Sequence, residues 1–153
     1  MTPDPDDFPK TGRLLGLDYG TRRVGAAVSN DEQTIASPLE TIVRGSDEQL
    51  VQRLRQLIED YSVVALVVGL PLHMGGEEGV QARNAREFGR RAAEATGLPL
   101  AFHDERLTTA RAEEHLLAAN LTSKKRRQRR DMLAAQMMLQ SYLDRNVRTA
   151  HSP

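Results

Sequence analysis

The stretch 13–43, RLLGLDYGTRRVGAAVSNDEQTIASPLETIV, decides the fold. Residues 13–18 (RLLGLD) are short and apolar and run at once into the turn residues Tyr19-Gly20-Thr21, the pattern of a buried strand. Residues 23–29 (RVGAAVS), small and β-branched, can pair with them as a hairpin. Residues 37–43 (SPLETIV) read as a third, more polar strand. Pro38 places it towards an edge, because proline has no amide hydrogen to give to a central ladder. Three strands joined by short turns predict an antiparallel meander.

Beyond residue 45 the hydrophobic period changes. Ser46 offers an N-cap, with Asp47 and Glu48 in the first turn. Leu50, Val51, Leu54, Leu57, Ile58 and Tyr61 then recur at three- and four-residue spacing, which is one face of a helix. Residues 63–69 are apolar on both parities, as a central parallel strand covered on both sides requires. Residues 73–79 form a glycine-rich loop. Residues 79–96 read as a helix, with Gly97 placed to end it. Residues 98–103 form another short buried strand, and 108–119 a helix. After a break at 120–123 comes KKRRQRR, and then a helix from about 129 to 145. The order βββαβαβαα predicts an α/β domain: a mixed five-stranded sheet, a three-strand antiparallel meander followed by parallel strands, with helices on both faces.

The 153 residues suit one domain of ordinary size. We expect a disordered N-terminal tail over 1–12, a single domain over 13–146 and a flexible C-terminal tail over 147–153. The start, MTPDPDDFPK, is polar and acidic and lacks the apolar core of a signal peptide. No run approaches the roughly 18–20 apolar residues of a membrane span. The absence of cysteine excludes a disulfide scaffold, thiolate zinc and a cysteine nucleophile. A reducing, cytoplasmic setting is expected. The formal charge is zero, yet residues 1–120 carry 13 basic and 19 acidic groups, while 121–153 carry 8 basic and 2 acidic. The positive charge is therefore local, and whole-chain charge misleads about partners.

Three acids stand out. Asp18 ends the first strand, at the carboxyl edge where open α/β sheets bind ligands. It equally suits the first position of a β-turn. Asp104-Glu105, in FHDERLTT, ends another buried strand. Neighbours on a strand point to opposite faces, so only one of the two can face Asp18 unless the strand has already ended; either could instead cap a helix. Asp131, in RRDMLAAQMMLQSYL, is in line with Ala135, Met138, Leu139 and Tyr142 on the apolar stripe of its helix. A carboxylate there needs a partner or a metal. A first-turn acid, or a salt bridge to Arg130 or Arg106, would also account for it. If the three converge, they make a hard-oxygen site suited to Mg²⁺ or Mn²⁺, two of which can drive phosphodiester cleavage.

Lys124, Lys125, Arg126, Arg127, Arg129 and Arg130 put six positive charges into seven residues before Asp131. Such a run repels itself, and a nucleic-acid backbone would relieve it. Arg22, Arg23 and Arg106 lie beside the acids in sequence and could add phosphate contacts. Tyr19 is the one aromatic residue adjacent to a proposed site, so recognition of backbone or shape is favoured over base stacking. His73 and His103 read as loop and supporting residues, and Met132, Met137 and Met138 as core filling. Gly75, Gly76 and Gly79 give only a weak phosphate-loop signal, because the GK[ST] ending is missing.

LGLDYGTRRVGAAVS, VVGLPLHMGG, FHDERLTT and RRDMLAAQMMLQSYL, in that order and spacing, resemble the YqgF family, also called RuvX, over roughly residues 13–145. The resemblance implies an RNase H-like fold and a metal-dependent endonuclease. The substrate would be pre-16S rRNA, trimmed at its 5′ end in ribosome biogenesis, or four-way DNA (Holliday) junctions. It makes Asp18, Glu105 and Asp131 the catalytic and metal-binding acids, with Asp18 bridging two ions. Asp104 is the alternate acid, and Tyr19 and Thr108 are possible supporting residues. The strand at 63–69 ends in Gly69-Leu70-Pro71 without an acid, so the second carboxylate must come from Asp104-Glu105. The expected partner is pre-rRNA or branched DNA, with the assembling small ribosomal subunit in the first case and no membrane in either. The protein would act as a monomer or homodimer. Two other classes compete: an ATP-using domain of the actin and sugar-kinase type, which needs two such domains, and a non-catalytic RNA-binding protein, whose signature would be loss of the acids.

Overall fold

A computed structural model describes residues 8–107 and 123–151. Five strands, β1 (Arg13–Tyr19), β2 (Arg23–Ser29), β3 (Ala36–Val43), β4 (Val63–Leu70) and β5 (Leu100–Asp104), form one sheet in the order β3-β2-β1-β4-β5. The first three pair antiparallel, and β4 runs parallel to both β1 and β5. The mixed sheet expected from the sequence is thus observed. Pro38 sits on the edge strand, where β3 slips register against Ala26 and Ala27, so its missing donor costs little.

Helices α1 (Asp47–Tyr61) and α2 (Val80–Thr96) cover one face of the sheet, and α3 (Ser123–His151) covers the other. Ser46 caps α1 through a reciprocal capping box with Gln49, satisfying amides that the first turn leaves unpaired. Gly97 ends α2 at φ 73°, a left-handed conformation that glycine adopts without strain. Leu15, Leu17, Val24, Leu54, Leu57, Leu66, Val68 and Phe88 fill the core under α1 and α2. Leu14, Ala27, Ala65, Val67, Ala135, Met138, Leu139 and Leu143 fill the core under α3. Odd positions of β1 face α1 and α2, and even positions face α3.

The second face carries small residues, and α3 lies close because of them. A Cβ on Gly16 would meet Leu139 Cβ at 2.9 Å, and one on Gly25 would stand 2.0 Å from the main-chain oxygen of Asp131. Glutamines fix the helix to the edge strand. The Ala36 amide donates to Gln140 Oε1 at 2.8 Å, Gln136 Nε2 donates to the Ala36 carbonyl at 3.1 Å, and Gln140 Nε2 donates to the Thr34 carbonyl at 2.9 Å. These bonds pair backbone groups that an edge leaves open.

Two expected boundaries move. The last helix begins at Ser123 and not near 129, so KKRRQRR is its first two turns; it also runs to His151, past the expected end of the domain at 146. The N-terminal tail is attached by its end: the Phe8 ring meets Tyr142 edge-on at 6.1 Å, and the Pro9 carbonyl accepts from Gln33 Nε2 at 3.2 Å. The expected helix over 108–119, with Thr108, lies outside the described residues. Among the described residues no helix is long and apolar enough to cross a membrane.

Candidate active site

Asp18 is the last even position of β1 and faces α3. Its pair across the ladder is Gly25 on β2, and the main chain of Asp131 rests on that glycine. Asp131 is therefore carried to Asp18 by backbone packing. It lies two turns inside α3, so a first-turn acid does not describe it.

Glu105 arrives from the other side. β5 ends at Asp104, and Glu105 opens a 3₁₀ turn, Glu105–Leu107. Strand β4 lies between β5 and β1. A Cβ on its Gly69 would stand 2.4 Å from Glu105 Oε1, so glycine clears the passage by which Glu105 reaches over β4 to Asp18. The two carboxyl groups share a hydrogen bond. The missing acid at the end of β4 thereby has a steric reason. Gly25 and Gly69 both shape the site, and sequence reasoning passed over them. Their signal was glycine inside a strand, which marks a close approach.

Such a pair cannot hold two negative charges cheaply. Burial, then the bond to Asp18 and its charge, push Glu105 up to about 9. Burial also raises Asp18, while the bond from Glu105 lowers it and the Asp131 charge raises it. Glu105 holds the proton and donates it to Asp18.

The neighbouring residue behaves in the opposite way. Asp104 turns to Arg106, accepting from its backbone amide at 3.0 Å and from Nη2 at 2.5 Å. Those bonds hold its carboxyl below the usual range. The strand has ended by then, so the opposition of faces that governs a strand no longer applies. Of the two candidates it is Glu105 that joins Asp18.

Two of the arginines expected at phosphates, Arg23 and Arg106, find partners within the protein. Arg23 Nε donates to Asp131 Oδ2 at 2.6 Å, so the counterion of Asp131 is neither Arg130 nor Arg106. Arg106 Nη1 donates to the Met74 carbonyl at 3.1 Å. Tyr19 is not near Asp18 in the sense expected. It points to the opposite face, where it stacks on Phe88 at 4.4 Å with Arg44 above its ring. Arg44 Nη1 donates to the Gly20 and Thr21 carbonyls, so this group braces the β1–β2 turn. His103 is buried, with its pKa lowered first by burial; its Nε2 lies 3.0 Å from Ser141 Oγ. That is a contact between β5 and α3.

The six cations of 124–130 are exposed on the first turns of α3, leading directly to Asp131. Cations at a helix N-terminus oppose the dipole, and like charges three and four residues apart repel.

Among the described residues, no three His, Asp or Glu side chains form a ready-made metal cage, and Asp131 is paired with Arg23. The donor chemistry nonetheless fits a divalent ion. Carboxylate oxygens are the ligands Mg²⁺ and Mn²⁺ prefer, and the proton between Asp18 and Glu105 occupies a place that a cation would take.

Residues 12–145 match the family model RuvX, described as a Holliday junction resolvase. Proteins named "Putative pre-16S rRNA nuclease" are similar along most of their length. The one from Lactococcus lactis is 45% identical over 134 residues, covering 86% of this chain and 94% of its own. The one from Paracoccus denitrificans is 42% identical over 138 residues, covering 90% and 87%. Among solved structures, T. thermophilus RuvC in complex with a Holliday junction substrate superposes with a TM-score of 0.55 at 16% identity, covering 88% of this chain and 96% of that one. At that identity the likeness speaks for the fold, a RuvC-like RNase H architecture. A family model matched over nearly the whole domain, and relatives above 40% identity on both sides of it, leave one conclusion: the chain belongs to the RuvX family.

Proposed function

We propose that this chain is a metal-dependent endonuclease acting on pre-16S rRNA, with Asp18, Glu105 and Asp131 as the acids of its site. The observation that carries the proposal is the meeting of Asp18 and Glu105 beside Asp131, at the carboxyl edge of the sheet and below a basic helix start. A structural role would not need two half-buried carboxyl groups to share a hydrogen bond. The names of its relatives supply the RNA substrate.

Asp18, Glu105 and Asp131 would hold Mg²⁺ or Mn²⁺, as two ions in the reading we favour. Such ions activate a water and stabilise the leaving oxygen. The chain's own contributions are distinct. Gly69 lets Glu105 reach Asp18, and Gly25 lets the backbone of the last helix bring Asp131 close to them. Glu105 would have to lose its proton to serve as a ligand. Arg23 orients Asp131 and leaves a positive group beside it. Lys124, Lys125, Arg126, Arg127, Arg129 and Arg130, with Arg22, grip phosphates on the approach to Asp131.

The test is cleavage of a pre-16S 5′ fragment with Mg²⁺, with Mn²⁺ and with chelator, against Asp18→Asn. Metal-dependent cutting lost in the variant is the expected result; cutting that persists in the variant would remove Asp18 from the site. A four-way DNA junction belongs in the same experiment, because the family description names that substrate. Preferential cutting of the junction would transfer the chemistry to recombination with the same acids.

A further inference from the structure

The loop between β4 and α2 carries the most exposed large apolar side chain among the described residues, Met74, at 92% of its full accessibility. It is not a loose loop end. The His73 amide donates to the Glu77 carbonyl at 3.0 Å, and the Gly76 amide donates to the His73 carbonyl at 2.8 Å. The His73 ring lies against Gly79, where a Cβ would come within 2.5 Å of it. The turn is then clipped from outside. Arg106 Nη1 donates to the carbonyl of Met74 itself, while Asp104 holds the same guanidinium through Nε and Nη2. Asp104 and Arg106 flank Glu105 in sequence. The clip therefore ties Met74 to the segment that delivers the second acid.

The loop's charges decide what it can touch. Glu77 and Glu78 are both exposed, and Glu78 pairs with Arg86. An acidic loop does not cradle phosphate, which disposes of the weak glycine signal. What it offers beside the acids is one rigidly presented thioether chain. Apolar side chains of this kind enter between base steps, and methionine sulfur makes favourable contacts with aromatic faces.

Resting on the nuclease reading, we infer that Met74 contacts the face of an unpaired or unstacked base next to the scissile phosphate, presented by the Asp104–Arg106 clip. The substrate class is then a nucleic acid with a single-stranded or distorted step at the cut, not a continuous duplex.

The test uses full-length protein carrying Asp18→Asn, so that bound RNA stays whole. The probe is a hairpin RNA with a single-stranded 5′ extension, bearing 2-aminopurine at successive positions around the cut mapped with wild type. Binding should raise the emission at one position as that base unstacks. Adding Met74→Ala should abolish the rise and weaken binding about fivefold, within the range of a sulfur–aromatic contact. Met74→Leu, apolar but without sulfur, should keep the rise and lose at most the sulfur's share of the affinity; loss of the rise in Met74→Leu would overturn the inference. An exposed side chain can be truncated without loss of folding, so unchanged emission and affinity in Met74→Ala would overturn the inference and leave the nuclease reading standing. Failure of wild type to bind or cut the RNA would overturn both.

Discussion

The two faces of the sheet are built to different rules. Under α1 and α2 the strands offer Leu15, Leu17, Leu66 and Val68 to large partners such as Leu54, Leu57 and Phe88. Under α3 the corresponding places hold Gly16, Gly25 and Gly69, followed at the carboxyl edge by Asp18, Glu105 and Asp131. One face buys stability with volume. The other gives up volume so that backbone and carboxyl groups can approach closely. Stability and chemistry are thereby separated across a single layer of strands, which makes the contrast testable by substitution.

The largest effect belongs to the second face. Asp18→Asn should reduce cleavage by about 10³-fold or more, the scale on which removal of one member of a catalytic unit acts, while thermal unfolding stays at or above the wild-type temperature because a half-buried charge beside two other acids has gone. Substantial unfolding of this variant would show that the acid is structural. On the first face, Leu54→Ala should cost about 2–5 kcal/mol, read by denaturant titration, yet leave activity per folded molecule near wild type. Gly25→Ala sharpens the comparison, since its Cβ meets a backbone oxygen that cannot rotate away. A loss of about 1–3 kcal/mol is expected, together with loss of activity per folded molecule, because Asp131 moves with that backbone.

A subtler effect is electrostatic. The Glu105 pKa is raised in the folded state to about 9, against 4.5 for an ordinary glutamate. A raised pKa contributes stability below the unfolded value, and that contribution is lost as pH rises. In chelator, the unfolding temperature should therefore fall from about pH 4.5 towards 9, and Glu105→Gln should flatten that slope. Mg²⁺ should recover the loss at pH 8 with release of a proton, and do little at pH 5. Thermal scans across pH with and without Mg²⁺ read this directly, and a slope that ignores both Glu105→Gln and Mg²⁺ would break the assignment. Asp104→Asn should be the mildest change, with an activity loss of only a few fold, because the Asp18–Glu105 contact does not pass through it. A loss as deep as that of Asp18→Asn would reverse the roles of the two neighbours.

The strands were legible because parity and period report burial directly. The short apolar run at 13–18 and the small, β-branched run at 23–29 give β1 and β2, and the doubly apolar run at 63–69 gives the central strand. The acids were legible as types at strand ends. Their arrangement was not. The end of the strand was legible within a residue, but nothing in FHDERLTT says which of Asp104 and Glu105 then turns inward. The start of the last helix was misread because six cations make a poor first turn by local rules. Tyr19 was misplaced by adjacency alone; one step along a strand is a change of face.

Arg23 and Asp131 touch across 108 residues of chain. Asp18 comes from the first strand, Glu105 from just past the fifth, and Asp131 from the last described helix. No early segment of the polypeptide can assemble the site, and contacts this distant in sequence close late. A chain still emerging during synthesis would hold its acids apart until the C-terminal helix docks. Cutting power would then switch on only with the completed molecule, a useful property in a nuclease whose proposed target is ribosomal RNA.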